Sequence, residues 1–316
     1  MPKVAVLGAG LSGLICARLL QEHGMACVVL EKSRSLGGRC ATRSWNGHVI
    51  DHGAQYFTAT QELFQSFLNT HPEGDICALS AKVVNTRGQT LRAKGGNRYY
   101  HLGGNNKIGL HLAQGLKVLT EKTVEAVAPA GSKWKVLGES YDAVVLTPPW
   151  PQTAALIDKD PGLADYVPCL TVLFEYEGDW AGASQKQYAI KDMTGMEDLT
   201  WSACENHKRD RIQPGRTVFV VQASSSFSHT HLEAMPEAYI PLLQKPLQER
   251  WDLQNSQLLS TFSHRWRYAR AISPTPPLAA LEPGLFLCGD SVVQSRLEDV
   301  FVSGAETAGN ILKYLA

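Results

Sequence analysis

The sequence predicts an α/β protein of two domains. One is a Rossmann-type unit assembled from both ends of the chain, the other an α+β unit on a mainly antiparallel sheet. Three observations carry this reading. The first thirty residues run as apolar stretch, glycine-rich turn, helical pattern and second apolar stretch. Near the other end a short apolar run leads straight into Gly289-Asp290. From about Trp150 to Pro274 the texture shifts to strand-like runs around one helical segment.

Val4-Ala5-Val6-Leu7 is an unbroken apolar run, as a strand buried on both faces of a parallel sheet requires. Gly8-Ala9-Gly10-Leu11-Ser12-Gly13 follows, then a helix carrying Leu14, Ala17, Leu19 and Leu20 that ends near Gly24. Cys27-Val28-Val29-Leu30 makes the second strand, stopping at Glu31. This is a βαβ unit with a GxGxxG turn. Gly8 permits the tight turn, Gly10 the close approach of a pyrophosphate and Gly13 the helix–strand contact. The helix N-terminus offers free N–H groups to phosphate oxygens. Glu31 suits the hydroxyls of an adenosine ribose and would repel a 2′-phosphate, which disfavours NADP at this position.

The turn alone leaves NAD and FAD open. Gly37-Gly38-Arg39 follows Glu31 closely, and this run resembles the extended FAD fingerprint of the amine oxidase and glutathione reductase superfamily. The resemblance implies that Arg39 holds the flavin's phosphates. A solvated loop arginine is the plainer alternative. Gly284-Leu285-Phe286-Leu287-Cys288 then leads into Gly289-Asp290, and Asp299 to Ala305 opens a terminal helix reaching Leu315. In that superfamily the aspartate meets a ribityl hydroxyl, and the glycine-containing helix start, here Gly304, faces the flavin's pyrimidine carbonyls. Asp290 also reads as a cap or turn residue.

Val49 to Phe57 looks like the segment passing along the flavin in amine-oxidase-type enzymes, with Gly53 and Ala54 allowing approach and Gln55, Tyr56 and Phe57 near the ring. A hairpin with core aromatics is the alternative. Leu116–Leu119, Val124–Val127, Lys133–Leu137 and Tyr141–Leu146 read as strands. The resemblance places Val124 beside the adenine, with Ala9, Leu11, Ser12, Lys32 and Gly38 completing the cofactor set. Thr171–Tyr176, Thr217–Ala223 and Leu258–Phe262 read as strands of the second domain, around a helix from His231 to Arg250. The expected FAD-binding domain comprises 1–92, 103–149 and 275–316, and the substrate domain 93–102 with 150–274.

With both fingerprints placed, the whole chain resembles the renalase group of the flavin-containing amine oxidase superfamily. Its compact length, the run Val145 to Gln152 and His264-Arg265-Trp266-Arg267 carry that likeness. The resemblance implies non-covalent FAD and oxidation of the 2- or 6-dihydro isomers of NAD(P)H, with O2 reduced to H2O2. Trp266, His264, Arg267 and Tyr56 are the substrate-pocket candidates, although Trp266 also reads as core and His264 as structural. An amine oxidase acting on a small amine is the main rival. Those enzymes carry a Gly-Ser-Tyr pattern near the C-terminus, where this chain has Tyr268 to Pro274 without that glycine and tyrosine. A desaturase and a flavin-free binding module of the same fold are weaker rivals.

Composition narrows the partners. Of 316 residues, 44% are hydrophobic and 19% charged, with thirty basic and thirty acidic side chains in balance. No polybasic footprint for nucleic acid is present, and no apolar stretch reaches the ~20 residues of a bilayer span. Seven cysteines include no CxxC pair, so neither a zinc site nor a redox dithiol is expected, and scattered thiols suit a reducing compartment. The expectation is a cytoplasmic monomer or small homo-oligomer with a small-molecule substrate and no metal.

Overall fold

A computed structural model describes residues 1–93, 95–160, 162, 166–180, 186–272 and 281–316. The expected domain boundary at 274/275 lies outside them. The first sheet has five strands in the order Leu285–Leu287, Ala143–Leu146, Lys3–Leu7, Ala26–Leu30 and Val118–Leu119, every neighbour parallel. Its central residues Val4, Val6, Val144 and Val145 are fully buried because both faces are covered. Helices Leu11–Glu22, Asn106–Ala113 and Leu297–Leu315 pack on one face around Leu14, Ile15, Phe301 and Ile311. A three-stranded meander over Ala128–Tyr141 closes the other through Trp134 and Val136. Burial of each such large apolar side chain stabilises the fold by about 1.5–3 kcal/mol.

The second sheet has six strands in the order Leu258–Ala271, Tyr166–Glu177, Arg216–Ala223, Leu199–Cys204, Gln187–Lys191 and Lys82–Asn85. All neighbours are antiparallel except the last pair. The strand Lys82–Asn85 therefore comes from the 1–92 stretch that the sequence assigns to the other domain. Tyr99–His101, expected in the substrate domain, pairs instead with Ile76–Ala78 in a separate small sheet. Helix Pro236–Trp251 covers one face of the large sheet through Tyr239, Leu243, Leu247 and Trp251. The other face receives the hairpin Thr42–Trp45/His48–Asp51 and the segment after it.

Three local expectations shift. The helix expected over His231–Arg250 starts later, at Pro236, and runs to Trp251, and a separate short helix, Ser225–Thr230, precedes it. Met235 precedes a proline and is held extended at ψ 149°, while Pro236 is suited to begin a helix. Val124–Val127 is not a strand: ladder pairing starts at Ala128, and the Val127 N–H goes to the Leu156 carbonyl at 2.7 Å. The strand expected over Leu258–Phe262 continues to Ala271. Opposite it the register slips between Val167 and Cys169, at Pro168, which has no N–H to give the ladder.

Candidate functional site

The cradle starts at the Gly8–Gly13 turn. Gly8 has φ +107°, and a Cβ there would meet the Thr147 hydroxyl at 2.3 Å, so a side chain is excluded. Gly10 begins the helix Leu11–Glu22 without a side-chain cap or an acidic residue in the first turn. A Cβ on Gly10 would meet nothing within 4 Å. The uncapped N–H groups thus border open space, which suits a phosphate. Glu31 is buried; its two oxygens accept the Ala9 N–H at 2.7 Å and the Ser33 N–H at 2.8 Å. Each oxygen keeps a further lone pair for a hydroxyl. Gly37 bridges to Gly10, and its N–H reaches the Ala9 carbonyl at 2.9 Å. The donor set and the space over Gly10 fit the ribose and pyrophosphate of a dinucleotide.

The far end of the chain closes against this turn. A Cβ on Gly289 would lie 3.0 Å from the Ser12 hydroxyl, and the Gly289 N–H reaches the Ser303 hydroxyl at 3.2 Å. Arg39 and Asp290, expected on different parts of the cofactor, meet each other. Nη2 lies 2.6 Å from Oδ1, and Nη1 donates to Oδ2. The cause is electrostatic: Asp290 is only 1% exposed, and Arg39 is the cation that reaches it. The register slip leaves the Tyr268 and Ala269 carbonyls out of the ladder, 3.4 and 3.3 Å from Arg39 Nη1. Tyr166 Oη and Ser295 Oγ also donate to Asp290, at 3.3 and 3.0 Å.

Gly304 has a different part from the one expected. The terminal helix begins at Leu297, so Gly304 lies two turns inside it. A Cβ there would stand 2.1 Å from the Ser12 carbonyl, so this glycine lets the first and last helices touch. Lys32 is exposed at the rim, and Val124 packs under the parallel sheet beside Val127 and Val136.

After Asp51 the chain crosses between the two sheets. Gly53 lies against the Arg39 carbonyl, where a Cβ would come to 2.1 Å. The Gly53 carbonyl accepts from Gln222 at 3.2 Å, and that of Ala54 from Asn105 at 2.9 Å. Gln55 is buried and donates to the Asp51 carbonyl. Tyr56 is half-buried beside Trp201, with Arg98 over its ring. Phe57, expected near the ring, turns into the core against Phe64 and Tyr99.

Behind this crossing lies a fully buried charge cluster. Asp51 accepts from Lys208 at 2.9 Å and from Arg211 at 2.6 Å, and Lys208 also meets Glu205 at 3.0 Å. Thr42 and the Asn105 N–H complete Asp51. Despite burial, Lys208 and Arg211 hold the Asp51 carboxyl below the usual carboxylate range. Partners more than 150 positions apart left no local sequence signal for it.

The wall facing the crossing comes from the strand Leu258–Ala271. Phe262, His264 and Trp266 share one face of it and meet His52 and Arg43. His52 stacks on Trp266 at 5.6 Å and stands 5.0 Å from His264; the Trp266 indole N–H reaches the His52 carbonyl at 3.2 Å. Arg267 alternates to the other face, where it is exposed and pairs with Glu233 at 2.7 Å. Of the pocket candidates, His264 and Trp266 come together, and Arg267 does not join them. Period-two alternation in a strand separates 266 from 267 and would have found this. Burial, His264 and Arg43 hold the His52 imidazole down at about 4, and burial with Arg43 lowers His264 as well. Both are neutral near pH 7. His52 and Arg43 went unmarked in the sequence, although they lie within the two motif stretches.

Among the described residues, all seven cysteines are free, no cluster has the makings of a metal site, and no helix is long and apolar enough to cross a membrane. A profile of the NAD(P)-binding Rossmann-like domain matches residues 6–70. Mouse renalase is 25% identical over 99% of this chain and 99% of its own length. Pig flavin-containing amine oxidase A is 44% identical over 62 residues, 19% of this chain and 12% of that protein. Among solved structures, cyclohexylamine oxidase from Brevibacterium oxydans IH-35A superposes with a TM-score of 0.77 over 99% of both chains at 13% identity.

Proposed function

We propose that this chain, a renalase-like member of the flavin-containing amine oxidase superfamily, is an FAD-dependent oxidase of the 2- or 6-dihydro isomers of NAD(P)H. When bound, FAD supplies a hydride acceptor at N5 and returns the two electrons to O2, which with protons leaves as H2O2. The observation that carries the reading is the closure of Gly289-Asp290 onto the Gly8–Gly13 turn, which gives one cradle from both ends of the chain.

The protein's own part is binding, orientation and exclusion of water. Glu31 takes the adenosine ribose, and the helix N-terminus at Leu11 takes the pyrophosphate. Arg39 and Asp290 line the flavin-side continuation of the crevice. Gly53 and Ala54 keep the crossing segment close-packed, and Trp266 with His52 forms a flat wall for a dihydropyridine ring. Little proton transfer is asked of the wall. A dihydropyridine gives up hydride from carbon and gains aromaticity, so neutral imidazoles serve where a strong base would be needed for an ammonium substrate.

The test is oxygen consumption by the flavin-loaded protein with each dihydro isomer and with a panel of primary amines. Uptake with one or both isomers, matched by H2O2, and none with amines is the expected result. Uptake with amines alone overturns the assignment in favour of an amine oxidase.

A further inference from the structure

Where the wall meets the hairpin and the crossing segment, hydrogen-bond acceptors are few. Arg43 lies with its guanidinium 3.9 Å above the Phe262 ring. Its Nε is buried without a hydrogen-bond partner, and no carboxylate pairs with it among the described residues. His52 is 6% exposed, and its Nδ1 also lacks a partner. His264 packs beside both His52 and Trp266, its ring 5.0 Å from the first and 4.2 Å from the indole. Asp51, next to His52 in the chain, is taken up by Lys208, Arg211, Thr42 and the Asn105 N–H. One guanidinium and two imidazoles therefore meet here, with two orphaned nitrogens, Arg43 Nε and His52 Nδ1, and no carboxylate ion-paired to them among the described residues. Buried polar atoms in folded proteins are paired, so unpaired nitrogens around a guanidinium mark a place where a bound group can supply the missing partners.

We propose that Arg43, His52 and His264 form an anion subsite that takes a phosphate of the dinucleotide substrate. The proposal deepens the functional reading above and rests on it for the substrate's identity. Only Arg43 supplies full charge; the imidazoles add directional N–H bonds. A guanidinium fixed on an aromatic face is preorganised for two phosphate oxygens. The same charge repels an ammonium, so the subsite separates an anionic dinucleotide from a small amine without contacting the reacting carbon.

The experiment uses the flavin-loaded protein and reads equilibrium affinity, by perturbation of the flavin spectrum and by calorimetry. The probes are NAD+, N-methylnicotinamide and inorganic pyrophosphate. Arg43→Gln is expected to weaken NAD+ about tenfold or more, to leave N-methylnicotinamide within about twofold, and to abolish pyrophosphate binding. Arg43→Lys, which keeps the charge without the planar fork, is expected to fall between. An unchanged melting temperature shows that both variants fold. NAD+ affinity unaltered by Arg43→Gln, or equal losses for NAD+ and N-methylnicotinamide, overturns the subsite. If the wild type binds pyrophosphate through Arg43 but neither binds NAD+ nor oxidises a dihydro isomer, the subsite stands and the substrate assignment falls.

Discussion

In the dinucleotide cradle the glycine turn, the helix start and Glu31 all lie within the first thirty-one residues, joined by backbone hydrogen bonds. In the wall across the crevice, Arg43 meets Phe262, and His52 meets His264 and Trp266, from more than two hundred positions away. The cradle uses backbone that side chains must not obstruct; the wall uses side chains that only tertiary packing brings together. The two kinds of site therefore vary in different ways. A cradle tolerates almost no substitution at its glycines, whereas a wall can exchange its polar groups and so change substrate on one fold.

Asp51 belongs to the seam between the two, and breaking it gives the largest expected effect. Asp51→Ala leaves Lys208 and Arg211 buried without their shared partner and is expected to cost about 3–5 kcal/mol in denaturant unfolding. A loss under about 1 kcal/mol would mean that the two cations are already neutralised by Glu205.

Acid separates the regions next. The unfolded chain takes up protons at its histidines below about 6.5, whereas burial holds His52 and His101 at about 4 in the folded protein. Their share of stability is complete above that range and is lost as pH falls from about 6.5 to 4, roughly 3 kcal/mol for His52. The depressed carboxylates Asp51, Glu175 and Glu298 behave oppositely in origin: their share persists until the pH drops below ordinary carboxylate values. Melting temperature against pH in wild type and His52→Phe checks this, the variant being flatter between pH 4 and 6.5. Parallel curves contradict it.

Within the cradle, Glu31→Ala removes the acceptor of the Ala9 and Ser33 N–H groups and is expected to weaken FAD retention about tenfold, read by flavin release on dilution. Retention equal to wild type would move the ribose away from this residue. The smallest effect belongs to Arg267→Ala. Its exposed pair with Glu233 is screened by solvent and contributes little, and substrate KM should stay within twofold, whereas Trp266→Ala raises it several-fold. A large KM change at Arg267 would reverse the facing of that strand.

The parallel sheet and the glycine turn were legible because their signals are local: unbroken apolar runs and a turn whose geometry excludes side chains. The pairing of Arg39 with Asp290 was not, since each was read against an expected ligand and neither against the other. Gly304 looked like a cofactor contact because it stands near a helix start, but the helix begins two turns earlier, at Leu297. His264 and Trp266 were found together with Arg267 as one motif; a strand's alternation, once known, divides them. The helix start at Pro236 and the register slip at Pro168 both follow from prolines, whose effect depends on the neighbouring strand and chain direction.

The most direct measurement is a single anaerobic turnover. Oxidised protein mixed with one equivalent of 2- or 6-dihydro-NAD should lose its flavin colour completely and yield one equivalent of NAD+, before any oxygen is admitted. Flavin that stays oxidised with both isomers, but bleaches with an amine, would contradict the account.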